Sequence, residues 1–350
     1  LGLLADAFFG HPSRRLTLVG VTGTNGKTTT AKILAELLEK QGLRVFSNRT
    51  GSNFVRGIIS AVLEVIHTDG SFDYDIAVLE LDEAHAVRFA ETVPVDYALV
   101  LNIQRDQLDR FCELDHTARL LSEVTGAARK KTVLNREDPE VLSLRAVDPV
   151  YYGLSAELLP EFPSDDNLLE PETQTASLLP ADVVLNRIDG NTAEYLIDGE
   201  IFSCRLSLDG KYNAFNAAGA LALLRQIIPG SETSALTEAL ETVDSAFGRA
   251  ETIRYKNSSV QLILVKNPSA FQLSLSSFAG EEYGYMIAIN DRYADGRDVS
   301  WLWNVDFTGL ESVHVLSGTR AADMALRLKY DGVPFDTVEE HLKKAVDGFC

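Results

Sequence analysis

Leu16-Thr17-Leu18-Val19-Gly20-Val21-Thr22-Gly23-Thr24-Asn25-Gly26-Lys27-Thr28-Thr29 is the stretch on which the fold turns. An apolar, β-rich run enters a glycine-spaced turn. The turn enters Thr29–Lys40, where Ala31, Leu34, Ala35, Leu37 and Leu38 recur at a helical period, and Gly42 follows as a stop signal. Strand, Gly-rich loop and helix in that order are the context of a phosphate-binding loop. Glycines permit the tight turn and let backbone N–H groups face phosphate oxygens, while the helix start adds partial positive charge. Gly23, Thr24, Asn25, Gly26, Lys27, Thr28 and Thr29 are therefore nucleotide-binding candidates. Lys27 is expected at the β- and γ-phosphates and the Thr28 hydroxyl on Mg²⁺. The strict GxxxxGK[ST] pattern fails at its first position, which is Val21.

Outward from this loop, Ile76–Leu81, Tyr97–Ile103 and Thr132–Leu134 read as further apolar strands separated by helices. That pattern predicts an α/β domain whose parallel sheet is covered on both faces. Ile76-Ala-Val-Leu-Glu80-Leu-Asp82-Glu83 ends one strand in carboxylates, beside the expected mouth of the loop. Alternation places Glu80 and Asp82 on one side. Glu80 is the expected Mg²⁺ ligand, with Glu83 a second ligand or a water orienter. Residues 155–180 hold four of the eleven prolines, six acids and no Lys or Arg, the composition of a solvated loop. Asp189-Gly190 and Asp198-Gly199 then mark a β-hairpin excursion within 181–208. A helix over Asn213–Gln226 is expected to close this domain, which spans 1–245. A smaller Rossmann-like α/β domain is expected over 246–350. Its strands are Val260–Val265, Tyr285–Ile289 and Ser312–Leu316, and its helices Arg320–Lys329 and Thr337–Val346.

Length and composition agree: 350 residues suggest two domains, and 45% hydrophobic residues supply a core. A net charge of −19 argues against a broad nucleic-acid surface. No apolar run reaches the length of a membrane span. Cys112, Cys204 and Cys350 are too scattered for a disulfide framework or a zinc site and suit a reducing cytoplasm.

Several segments together resemble the Mur ligase superfamily: the loop Thr22-Gly-Thr-Asn-Gly-Lys-Thr-Thr, the run Asn102-Ile-Gln-Arg105-Asp106-Gln107-Leu108-Asp109-Arg110, Gly210-Lys-Tyr-Asn213-Ala-Phe-Asn216, and Phe247-Gly248-Arg249-Ala-Glu251. Ser47-Asn48-Arg49-Thr-Gly51-Ser-Asn53, Lys266-Asn267-Pro268 and Asn290-Asp291-Arg-Tyr-Ala-Asp295-Gly296-Arg297-Asp298-Val-Ser-Trp301-Leu-Trp303 are similar to its MurT branch, the ligase subunits of lipid II isoglutaminyl synthase. The resemblance implies a P-loop Mur ligase central domain followed by a MurT-type domain. It implies ATP-dependent amidation of the α-carboxylate of D-Glu in the stem peptide of lipid II, giving D-isoglutamine through an acyl phosphate. The ammonia would come from a GatD-type glutaminase. ATP and Mg²⁺ are the implied cofactors. The implied location is the cytoplasm, or the inner face of the membrane through the lipid-linked substrate.

The same resemblance implies roles for single residues. Asn216 would contact the nucleotide base, Arg249 the phosphates, and Asp291 (or Asp295) the ribose, unless it orders its loop. Asn48, Arg49, Asn53 and Arg105 would bind the acceptor. Asp298, or else Asp306, would complete the glutaminase's Cys–His site, since an acid beside a histidine fixes its tautomer. There are departures. The family's four-cysteine zinc ribbon cannot be built from three scattered thiols, so no zinc is expected. Gln107 stands where related ligases carry His, Leu121 falls near the position of their carbamylated lysine, and Asn304 replaces an acid. MurT chains usually run beyond the position of Cys350. The stretch before the loop is too short for a UDP-sugar-binding domain. The alternatives are another Mur-like amino-acid or peptide ligase, or a non-catalytic nucleotide-binding scaffold for a glutaminase.

Overall fold

The computed structural model describes Phe9 and residues 16–48, 55–69, 71–104, 114–162, 179–243, 249–278, 283–292 and 298–350. The chain divides into two compact units, with the main break between Ala246 and Phe247.

The first unit is built on a nine-stranded sheet of order β2-β3-β1-β4-β5-β6-β7-β8-β9. Its strands are β1 (Thr17–Thr22), β2 (Val45–Ser47), β3 (Ile76–Glu80), β4 (Tyr97–Val100), β5 (Lys131–Asn135), β6 (Pro149–Leu154), β7 (Val183–Asp189), β8 (Thr192–Ile197) and β9 (Glu200–Arg205). All neighbours through β7 pair in parallel; β7, β8 and β9 form an antiparallel meander. Every residue of β3 and β4 is buried, as the continuous apolar runs require when helices cover both faces. The crossovers are α1 (Lys27–Lys40), α2 (Val55–Val65), α3 (Glu83–Thr92), α4 (Leu114–Gly126) and the single turn α5 (Pro139–Leu142); α6 (Lys211–Ile227) and α7 (Thr233–Thr242) follow the meander. One core cluster joins Leu18, Phe46, Ile58, Val62, Leu79 and Phe89. A second joins Val100, Ile103, Leu121, Leu134 and Val141.

The expected α/β class holds, and several details differ from the sequence reading. The expected hairpin excursion forms as β7–β8–β9, and its three strands also extend the main sheet, with the left-handed Asp198 and Gly199 at one turn. Helix α6 does not close the unit. Helix α7 follows and is tied to α1 by the Lys40–Glu238 ion pair and by Gln41, whose side chain bonds the Glu232 backbone. Strand β4 stops at Val100, three residues early, because the chain turns to hydrogen-bond the glycine-rich turn after β1. The short β2 and the polar-edged β6 carry too little apolar pattern to be read in advance. Residues 163–178 of the acidic loop lie outside the described residues.

The second unit opens with the antiparallel hairpin β10 (Arg249–Tyr255) and β11 (Ser258–Ile263). It continues with α8 (Pro268–Phe278), the parallel strands β12 (Met286–Ala288), β13 (Val313–Ser317) and β14 (Phe335–Glu339), and helices α9 (Ala321–Asp331) and α10 (Leu342–Phe349). Its core gathers Phe271, Leu302, Phe307, Leu316, Met324 and Leu328. The helix expected over Thr337–Val346 is corrected: its first residues form β14, and α10 starts only at Leu342. β-branched Thr337 and Val338 complete the parallel sheet beside β13.

Candidate functional site

Strand β1 lies between β3 and β4, with Val21 opposite Glu80 and Thr22 opposite Val100. Three strand tips thus converge where the chain leaves β1 into Gly23–Gly26. Two glycines are required there by geometry. Gly23 has φ +129°, and a Cβ on it would sit 2.9 Å from the backbone N and O of Asn102. Gly26 has φ +86°, and a Cβ there would lie 2.5 Å from Oδ1 of Asn216 on α6. Gly26 is also the N-cap of α1 and brings no capping side chain. The first-turn N–H groups of Lys27, Thr28 and Thr29 are therefore presented at the positive end of the helix without a capping acceptor.

Asn102 staples the loop. The Thr24 N–H donates to its carbonyl at 3.0 Å and the Asn25 N–H to its Oδ1 at 2.7 Å. Its Nδ2 donates back to the Asn25 carbonyl at 3.1 Å.

Lys27 Nζ donates to the carbonyls of Gly23 and Thr24 and to Glu83 Oε1, the last at 3.0 Å. Burial of the ammonium works against its charge. The carboxylates of Glu83, then Glu80 and Asp82, outweigh that penalty and hold the lysine pKa above its ordinary value. Glu80 is buried at the tip of β3. Its N–H donates to Asn48 Oδ1 at 2.9 Å and its carbonyl accepts from Asn48 Nδ2 at 3.0 Å. Asn48, expected among acceptor contacts, is itself buried and clasps the Glu80 peptide with both ends of its amide. Asp82 is the N-cap of α3, yet its carboxylate turns to His85 Nδ1 at 3.0 Å instead of capping the helix.

The donor set suits a nucleotide with a hard divalent cation. Thr28, Glu80 and Glu83 offer oxygens only, the ligands Mg²⁺ prefers. No group of three or more His, Cys, Asp or Glu side chains is arranged to hold a metal among the described residues. A cation held by one or two carboxylates and substrate phosphates needs none. The hydroxyls of Thr22 and Thr30, flanking the loop, are buried and lack a hydrogen-bond partner among the described residues.

Of the remaining candidates, Asn216 stays at the loop and the others fall elsewhere. Asn216 is buried against Gly26. Asp291, Asp298 and Asp306 belong to the second unit. Asp291 follows β12, accepts from the Thr319 hydroxyl at 2.8 Å and faces Arg320 at 3.6 Å. Asp298 Oδ1 accepts the Ser300 N–H at 2.8 Å, ahead of the 3₁₀ turn Ser300–Asn304. Asp306 Oδ1 accepts from both the N–H and the hydroxyl of Thr308. Both carboxylates are exposed. Arg249 begins β10. Arg49, Asn53, Arg105 and Asp295 lie outside the described residues. The staple role of Asn102 was missed in the sequence. So was the carboxylate of Asp138, although Asp138-Pro139 is a helix-start signal.

Residues 21–224 match the family model of the Mur ligase middle domain, and residues 264–349 match that of the MurT ligase C-terminal domain. The chain is 29% identical over 355 residues to "Lipid II isoglutaminyl synthase (glutamine-hydrolyzing) subunit MurT" of Staphylococcus aureus (strain COL), covering 92% of this chain and 79% of that protein. It is 27% identical over 363 residues to the subunit of the same name from Streptococcus pneumoniae (strain ATCC BAA-255 / R6), covering 94% and 80%. The crystal structure of the MurF ligase from Thermotoga maritima in complex with ADP superposes with a TM-score of 0.69 at 20% identity, over 99% of this chain and 82% of that one. No helix among the described residues is long and apolar enough to cross a membrane.

Proposed function

Since this chain belongs to the Mur ligase family and is an ATP-dependent ligase, we propose that it amidates the D-Glu α-carboxylate of lipid II, yielding D-isoglutamine, as the ligase subunit of a complex with a GatD-type glutaminase. The observation that carries this reading is the lysine-ended loop. A buried ammonium stands beside an uncapped helix start, with a buried glutamate on the adjoining strand tip. The match of residues 264–349 to the MurT C-terminal domain supports the choice of amidation over amino-acid addition.

The chemistry assigned to these residues is as follows. The first-turn N–H groups of α1 and Lys27 bind the triphosphate and offset the repulsion between the γ-phosphate and the acceptor carboxylate. The carboxylate oxygen takes the γ-phosphoryl group, ADP leaves, and the carboxyl carbon becomes an acyl phosphate. Ammonia then attacks that carbon, the C–O bond to phosphate breaks, and the nitrogen loses a proton. Mg²⁺, when bound, neutralises phosphate charge; Thr28 and Glu80 would hold it. Asn48 keeps Glu80 aimed by fixing its peptide. Arg49, Asn53 and Arg105 stay assigned to the acceptor. Asp298 is the preferred partner of the glutaminase histidine, ahead of Asp306.

The test is ATP turnover with lipid II and ammonium, without any glutaminase. Amidated product with the wild type and none with Lys27→Ala is the expected result. ATP binding without product in any ammonia concentration would refute amidation and leave a nucleotide-binding scaffold.

A further inference from the structure

The chain between β4 and residue 104 is held from two sides. The Leu101 carbonyl accepts from Asn135 Nδ2 at 3.0 Å and from the Tyr152 hydroxyl at 3.3 Å, and the Leu101 N–H donates to the Thr22 carbonyl at 3.0 Å. Two residues on, the Ile103 N–H donates to Asp138 Oδ2 at 2.8 Å. The other oxygen of Asp138 caps α5 by accepting the Val141 N–H at 3.0 Å. Asn102 sits between these two anchored peptides, and it makes three hydrogen bonds to Thr24 and Asn25. The direction in which Asn102 reaches is therefore set by peptides that it does not itself hold.

We propose that Asp138 is a positioning residue for nucleotide binding: by holding the Ile103 N–H it fixes the backbone that aims Asn102 at Thr24 and Asn25, and so shapes the phosphate loop from beyond the tip of β5, two strands away from β1. This rests on the nucleotide reading of the loop given above. A charged acceptor does this better than a neutral one, because N–H bonds to an ionised carboxylate are shorter and roughly twice as strong. Asp138 is bonded to two N–H groups at once. A protonated carboxyl has only one unencumbered acceptor oxygen, so one of the two contacts must weaken. Withdrawal from water is the largest influence on this carboxyl and raises its pKa to about 6, against the opposing pull of the Ile103, Val141 and Glu140 N–H groups. The titratable or charged groups around it are Glu140 on α5, Tyr152 on β6, and Glu137, which is ion-paired with Arg136.

The experiment measures ADP affinity by calorimetry between pH 5.5 and 8 for the full chain and for Asp138→Asn and Asp138→Ser. Serine still caps α5, a role it fills well, but its single short oxygen cannot also serve Ile103. At pH 8 each variant should bind ADP about tenfold more weakly, the scale of one charge-assisted hydrogen bond partly transmitted. The ratio of wild-type to variant affinity should shrink toward one at pH 5.5. Using the ratio removes the titration of the ADP phosphate itself. Equal affinities at pH 8, or a ratio that does not move with pH, would overturn the inference; the second outcome marks a structural role only. Should neither variant fold, the wild type alone decides. Measured against the β5 amides, which report the rise in stability of the whole unit, its Ile103, Thr24 and Asn25 amides should lose exchange protection together as pH falls through about 6, and unchanged relative protection would overturn the proposal. Failure of the wild type to bind ADP would remove the nucleotide reading, and this inference with it.

Discussion

Glu83→Gln separates what Glu83 does for the apo protein from what it does for a bound nucleotide. The Lys27 ammonium and the Glu83 carboxylate meet at 3.0 Å with side chains only 12% and 9% exposed. Coulomb attraction at that distance is about 5 kcal/mol at an effective dielectric of 20. Removing one partner of a buried pair costs about 3–5 kcal/mol, because the other charge is left uncompensated. Here the loss is smaller. Lys27 keeps the Gly23 and Thr24 carbonyls, and the Glu80 and Asp82 carboxylates still attract it. An amide oxygen still accepts one N–H, so we expect about 2 kcal/mol of destabilisation of the first unit. Tryptophan fluorescence would miss it, since both tryptophans, Trp301 and Trp303, lie in the second unit. Urea unfolding followed by far-UV circular dichroism, or exchange of the α1 amides, reads the right part of the molecule. Nucleotide binding should move the other way. Glu83 competes with phosphate for the same ammonium, so the substitution should tighten ADP binding about fivefold in the presence of a chelator. If Glu83 is also a metal ligand, affinity for Mg·ADP should fall in the same protein. Unchanged stability together with unchanged metal-free affinity would refute the assignment of Glu83 as the counter-ion of Lys27.

Two further outcomes follow from the same geometry. Gly26→Ala forces a side chain into a left-handed backbone, costing about 1–2 kcal/mol, and drives its Cβ toward the Asn216 amide; thermal unfolding should show the loss and ADP affinity should drop at least tenfold. For Asp138 the folded pKa of about 6 lies above the ordinary 3.8, so the unfolded chain gives up its proton first as pH rises. Its contribution to stability is complete below pH 3.8 and is lost as pH rises through 6, a fall of about 2 kcal/mol after allowance for its partly open side. Urea midpoints of wild type against Asp138→Asn at pH 4 and pH 7 should reveal that difference, and parallel profiles would contradict it.

How much of the site could be read in advance depends on whether a residue's partners are near it in sequence. The turn that carries Lys27 and Thr28 was legible because strand, loop and helix are contiguous, and a loop that must turn left-handed at Gly23 and Gly26 declares itself by glycine. Glu80 was legible because a buried parallel strand ends in an acid. Asn48 was assigned to the acceptor through the family resemblance alone, and its contact with the Glu80 peptide comes only from the pairing of β2 with β3. The strand at Thr337 was read as part of a helix, and only the pairing with its neighbour β13 places it in the sheet.

Local pattern alone determined the α/β class, the glycine-spaced turn after β1 and the acid at the tip of β3, since each depends on backbone preferences within a dozen residues. Which side chains face one another across 77 residues of sequence, as Asn102 and Asn25 do, or across 56, as Lys27 and Glu83 do, was decided by strand order. A parallel sheet brings its strand tips to one edge whatever the length of the crossovers between them. The pairing of polar groups at that edge is therefore settled by register and burial, which the chain acquires only on folding.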